Sequence, residues 1–142
     1  MNIDEIINLL PQQPPFLMLD RVLSYEPGKK LIALKNITIN DPIFKGHFPG
    51  NPVVPGAILI ESMAQTAILL YLSKNNFVKN NSENYYLGSV KARFIKSAFP
   101  GDQLRIEADL IKIMGNGLFI SAFTLVENEK IAEAELICMI QK

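Results

Sequence analysis

The chain has no tryptophan, one cysteine and one histidine, and its 14 basic residues are balanced by 14 acidic ones. A single cysteine, Cys138, excludes an internal disulfide and fits a reducing compartment, so a cytoplasmic location is expected. One histidine and one cysteine are too few ligands for a zinc-type metal site. Zero net charge without a dense lysine/arginine cluster argues against a nucleic-acid partner. The first ten residues carry Asp4 and Glu5 and no basic flank, so they do not read as a signal peptide. At 142 residues the expectation is one domain, 1–142, with a modest core that a partner subunit would help to complete.

Uninterrupted apolar runs are scarce too. The longest candidate, Val53 to Leu72, is broken at its start by Pro55 and Gly56 and interrupted by Glu61, Ser62, Gln65 and Thr66. A charge in mid-bilayer is costly, so this segment reads as a buried helix of a soluble domain and no membrane partner is expected.

Ile3, Ile6, Ile7 and Leu10 have helical spacing and stop before Pro11. Arg21–Glu26 and Lys29–Ile39 read as strands around a Pro27-Gly28 turn. A loop over 40–55 leads into a helix from about Gly56 to Lys74, followed by a polar connection over 75–84. Beyond it the pattern is all strand. Tyr85–Val90 and Lys91–Ser97 are β-rich, and Leu104, Ile106, Ala108 and Leu110 alternate with polar residues in a strand over 103–114. The phase flips at Ile111 and Ile113, which fits either a bulge or a strand passing from a half-exposed to a covered region. Gly115-Asn116-Gly117 is a hairpin turn into strands over 118–126 and 130–140. No βαβ repeat is present. The expected class is α+β: a curved antiparallel sheet wrapped around one long apolar helix.

His47 lies within Gly46-His47-Phe48-Pro49-Gly50, in a loop rich in proline and glycine, and Glu61 follows near the start of the apolar helix. A rigidly held imidazole and a helical carboxyl are a base and an acid for proton transfer. The Pro55-Gly56 helix start offers unpaired backbone N–H groups and partial positive charge, suited to polarising a thioester carbonyl or stabilising an enolate oxygen. Glycine at position 56 would let another molecule approach that backbone closely. Glu61 sits about one and a half turns into the helix, where apolar surroundings favour its protonated, acid form. Gln65, four residues on, shares its face and could hold the carboxyl. Taken singly, His47 reads more readily as a structural hydrogen-bonder and Glu61 as a paired structural charge; only together, flanking a Pro-Gly helix start, are the structural and catalytic readings even.

These segments resemble the β-hydroxyacyl-acyl-carrier-protein dehydratases of type II fatty-acid synthesis. The resemblance rests on Leu10-Pro11, on the stretch from Pro15 to Val22, on the stretch from Gly46 to Gly56, on Glu61-Ser62-Met63-Ala64-Gln65, on Ala92-Arg93-Phe94 and on Pro100-Gly101-Asp102. It implies a hot-dog fold without a cofactor. It also implies a homodimer, often assembled into a trimer of dimers, in which His47 of one subunit meets Glu61 of the other at the end of an acyl tunnel. By motif position His47 is the base, Glu61 the acid that expels the β-hydroxyl as water, the Gly56 N–H the carbonyl donor, and the Val53 carbonyl the group that orients the imidazole. An acidic acyl carrier protein would dock on Lys91, Arg93 and Lys96, which read equally as a solvated strand edge. Tyr85 and Tyr86 match a tunnel gate, though both are also ordinary strand residues. Glutamate at 61 resembles dehydratases that do not also isomerise the double bond.

The resemblance breaks at one place. The family usually has His-Arg after Leu-Pro, and here the residues are Gln12 and Gln13. That departure admits a polyketide, aryl-polyene or other specialised acyl chain. A hot-dog thioesterase, which would not need His47, and a non-catalytic acyl-binding subunit are the competing readings.

Overall fold

The computed structural model describes all 142 residues. Helix α1 (Ile3–Leu9) starts at a capping box: the Asn2 side chain accepts from the Glu5 N–H at 3.1 Å, and the Glu5 carboxylate accepts from the Asn2 N–H at 2.6 Å. Pro11 ends it, and the Gln13 amide donates to the Ile7 and Leu10 carbonyls at 2.9 and 3.1 Å, satisfying acceptors that a helix end leaves open. Strands β1 (Arg21–Glu26) and β2 (Lys30–Asn36) form a hairpin whose turn uses Gly28 at φ 68°. After α2 (Gly56–Ser73) come β3 (Asn84–Phe94), β4 (Gln103–Met114), β5 (Gly117–Val126) and β6 (Glu129–Gln141).

The six strands make one antiparallel sheet in the order β1-β2-β4-β5-β6-β3. It curls around α2, which gives the expected hot-dog arrangement. Its inner face presents Leu104, Ile106, Ala108, Ile120, Ala122, Ala134 and Leu136, all buried, to a helix buried on nearly every side. The serine and threonine hydroxyls of that helix return to its own carbonyls. Ser62 donates to Leu59, Thr66 to Ser62 and Ser73 to Leu70, at 2.6–2.8 Å. Helix α2 is long and apolar enough to span a bilayer, yet two-thirds of it (67%) is buried within the sheet.

The β4 register shifts between Leu110 and Lys112, so the phase flip at Ile111 is a bulge. Strand β2 is shorter than the β-branched run through Ile39 suggests. Ile37 leaves β4 to exchange hydrogen bonds with the 100–102 turn: its N–H donates to the Asp102 carbonyl and its carbonyl accepts from the Gly101 N–H. Strand β3 likewise stops at Phe94, where the Ile95 and Lys96 N–H groups both turn to the Ile131 carbonyl. A second bulge lies at Gly88, where a Cβ would stand 2.8 Å from Met139 Cγ.

Strand β3 pairs only with β6, so one of its edges is free. Past the bulge, Val90 and Phe94 face the same side as buried Leu136 and Ala132, their register partners, yet are 39% and 49% exposed. Here α2 covers the concave face only at its first residue, Gly56, which lies against the Phe94 ring.

Candidate active site

The loop between β2 and α2 is shaped by its own backbone. A 3-10 turn over Pro42–Lys45, capped by the Asp41 carboxylate at 3.0 Å, buries Phe44 as an anchor. The His47 N–H then donates to the Ile43 carbonyl at 3.1 Å, and the Val54 N–H ties the far end to the Ala98 carbonyl at 2.9 Å. Between these points the His47 carbonyl accepts from the Val53 N–H at 3.1 Å, and His47 Nδ1 lies 2.8 Å from the Val53 carbonyl. A carbonyl only accepts, so the proton of the neutral ring sits on Nδ1 and the Nε2 lone pair is left free. The Phe48 ring stacks on the imidazole at 4.0 Å.

Helix α2 begins at Pro55, which supplies no side-chain cap. No backbone or side-chain acceptor meets the Gly56 N–H. Glycine relieves crowding here, a role local reasoning missed. A Cβ at position 56 would stand 3.0 Å from the Phe94 ring, so a residue of β3 occupies the space against this backbone.

Glu61 is half-buried and faces a cavity of about 250 Å³. Ala64 and Ile68 continue that wall along α2, Gln12 and Phe16 come from the segment after α1, Tyr85, Tyr86 and Leu87 from β3, and Cys138 from β6. Gln65 is fully buried and makes three hydrogen bonds. Its Nε2 donates to Glu61 Oε1 and to the Phe16 carbonyl, both at 2.9 Å, and its Oε1 accepts from the Met18 N–H at 2.8 Å. The carboxyl is thereby tied to the N-terminal segment. Cys138 closes the cavity; burial, and then the Glu61 charge, push its thiol up to about 11. Tyr85, on the cavity wall, donates to Glu83 at 3.1 Å and packs edge-on to Tyr71. Burial, and then Glu83, raise both phenols.

His47 is not among the walls of this cavity. The structure therefore places Glu61, Gln65, Tyr85 and Tyr86 together, and holds His47, Val53 and Gly56 in the neighbouring loop and helix start. Lys91 and Arg93 lie on the opposite, convex face, in register with Glu135 and Glu133. Arg93 pairs with Glu133 at 2.9 Å and Lys96 pairs with Glu129, so two of the three cations are already engaged. Sequence reasoning missed Gln12, Phe16 and Cys138 as cavity walls, because nothing local links the segment after α1 and β6 to Glu61.

A family model described as a FabA-like domain matches residues 10–135. The chain belongs to the FabA-like family. It is 46% identical over 142 residues to a protein of Nitrosospira multiformis, covering 99% of this chain and 97% of that one. It is 42% identical to a protein of Ralstonia nicotianae, covering 99% and 87%. Both relatives are named 3-hydroxyacyl-(acyl-carrier-protein) dehydratase FabZ. Among solved structures, the dehydratase heterocomplex ApeI:P of Xenorhabdus doucetiae superposes with a TM-score of 0.80 over 100% of this chain and 92% of that one, at 14% identity. The PaaI protein of the E. coli phenylacetic acid degradation operon gives 0.64, 83%, 80% and 11% for the same quantities. At those identities the likeness is one of fold.

Proposed function

We propose that this chain dehydrates a 3-hydroxyacyl thioester carried on acyl carrier protein to the trans-2-enoyl thioester. The observation that carries the reading is the imidazole whose Nδ1–H is committed to the Val53 carbonyl, leaving Nε2 as a free base. Nε2 would take a proton from the carbon beside the thioester carbonyl. The unpaired Gly56 N–H at the positive end of α2 would stabilise the oxygen as charge develops on it. Glu61, held by Gln65, would protonate the departing hydroxyl, so the products are the enoyl thioester and water. A thioesterase has no evident use for an imidazole pinned in this tautomer.

The base and acid are assigned to different protomers of a homodimer. Three features support this: His47 is absent from the Glu61 cavity, β3 has a free edge, and the inward residues Val90 and Phe94 remain part-exposed. A cavity of about 250 Å³ is also smaller than the usual ligand site, roughly 300–1,000 Å³, as half of a shared tunnel should be. The carrier protein would meet the dimer near the His47 loop, and the pairing of Arg93 and Lys96 favours Lys91 as the more available cation. Assembly into a trimer of dimers and a cytoplasmic location complete the reading.

His47→Ala and Glu61→Gln should each lower dehydration about 10²–10⁴-fold while leaving a folded dimer. Mixing the two variants under conditions of subunit exchange should restore activity, because the mixed dimer carries one site with both groups intact. Full activity in His47→Ala, measured as enoyl absorbance without release of free thiol, would reject the mechanism. A mixture as inactive as its components would reject the shared site.

A further inference from the structure

We infer that Glu83 is a positioning residue: by holding the Tyr85 ring it closes the far end of the Glu61 cavity and so limits the length of acyl chain accepted. The inference rests on the dehydratase reading and adds a substrate limit to it. Two contacts give the cavity its direction. A Cβ at Gly56, the first residue of α2, would lie 3.0 Å from the Phe94 ring. Tyr71, near the end of α2, packs on Tyr85 with ring centroids 6.2 Å apart. Strand β3 therefore runs antiparallel to α2, with its last residue beside the helix start and Tyr85 beside the helix end. Glu61, Ala64 and Ile68 line the cavity at helical spacing, whereas Tyr71, the next residue on that face, does not. A chain laid along this wall from Glu61 passes Ile68 after about 10 Å and reaches the level of Tyr71 and Tyr85 by about 15 Å.

One carboxylate clasps both rings there. Glu83 Oε2 accepts from the Tyr85 hydroxyl at 3.1 Å, and its Oε1 accepts from the Tyr71 hydroxyl at 3.5 Å. The polar connection before β3 sets the place of that carboxylate. The Glu83 N–H donates to the Asn80 carbonyl at 3.1 Å, and the Asn80 side chain accepts from the Ser82 N–H and hydroxyl at 3.1 and 2.7 Å. Glu83 is not a cavity wall, so it acts on the chain only through Tyr85. The Tyr85 ring is only partly buried, and without the charge-assisted hydrogen bond it is free to swing from the cavity end and lengthen the channel.

The test uses straight-chain acyl thioesters of increasing length. Saturated versions are titrated for binding, and their 3-hydroxy counterparts are assayed for turnover, with the wild type, Glu83→Ala, Glu83→Gln and Tyr85→Phe. In the wild type both readouts should fall off beyond one length. In Glu83→Ala the first chains past that length should gain about tenfold relative to shorter ones, as the loss of one charge-assisted hydrogen bond allows. Tyr85→Phe should shift the limit alike, the double variant should gain no more than either single one, and Glu83→Gln, which keeps one acceptor oxygen, should fall between. If Glu83→Ala does not fold, Tyr85→Phe, which removes one hydroxyl, and Glu83→Gln carry the test. A limit that stays put while Tm drops, an equal change at every length, or gains that add in the double variant would overturn the inference while leaving dehydration intact. A limit that shifts in binding with no turnover of any chain would support the clasp and instead reject the dehydratase reading.

Discussion

Gln65 is the residue on which the position of the proposed acid, Glu61, depends, and Gln65→Met isolates it. Methionine has nearly the same length and no hydrogen-bonding amide. The substitution removes the acceptor of the buried Met18 N–H and the donor to the Phe16 carbonyl, and it frees Glu61 Oε1. Two backbone groups left unpaired cost about 1–3 kcal/mol each, offset in part by the more apolar side chain and by water reaching the Phe16 side. A net loss of about 2–4 kcal/mol is expected, which for a domain of this size lowers Tm by roughly 5–15 °C. Without its tether the Glu61 carboxyl samples other rotamers, and kcat should fall about tenfold with KM little changed, since the lost contact positions the acid and does not hold the chain. Calorimetry and steady-state assay on the same preparation read both effects. A Gln65→Met variant with unaltered Tm and kcat would refute the claim that this amide joins the acid to the N-terminal segment.

Gly56→Ala places a methyl 3.0 Å from the Phe94 ring, so either the ring or the helix start must shift. Activity should drop at least tenfold and recover in part in Gly56→Ala/Phe94→Leu, where the obstruction is removed; no rescue would mean that the ring is not the obstacle. Cys138 predicts an alkaline effect of definite sign. Its folded value of about 11 lies above the ordinary value near 9.0, so the neutral thiol favours the folded state. That contribution is fully present below about pH 9 and is lost as pH rises toward 11, amounting to roughly 2–3 kcal/mol. The stability of Cys138→Ala, followed by urea unfolding, should therefore fall less steeply than that of the wild type across this window, and parallel curves would contradict the assignment.

How much of this is legible in the sequence depends on how far apart the interacting residues lie. Local periodicity suffices for α2, for the alternation along β4 and for the phase flip at Ile111, because each is set by neighbours within a few residues. The contact between Glu61 and Gln65 is readable for the same reason, as an i,i+4 pair on one helix face. The other Gln65 partners, Phe16 and Met18, lie 49 and 47 residues away and leave no local trace. The early exit of β2 at Asn36 is non-local as well, decided by Ile37 finding the 100–102 turn. Composition alone marks 40–55 as a loop, but the buried Phe44 inside a short 3-10 turn depends on the core beneath it. The strand order has no sequence signature. Without it, Lys91 and Arg93 cannot be placed on the convex face, away from the cavity and beside Glu135 and Glu133.

The proposed homodimer would give the departures from a self-contained fold one cause. A free β3 edge, inward-facing Val90 and Phe94 left exposed, and a carboxyl whose cavity lacks the histidine all occur on one side of the sheet. Each is a liability for an isolated chain: the open edge invites mispairing, and the bare apolar surface is costly in water. In the proposed homodimer, one two-fold contact extending the sheet across β3 would resolve all three, because it would pair the edge, cover the aromatic and aliphatic residues and carry a second His47 loop toward the first Glu61. The same surface then provides both stability and the reacting geometry. On this reading, neither half of the chemistry functions until two copies meet.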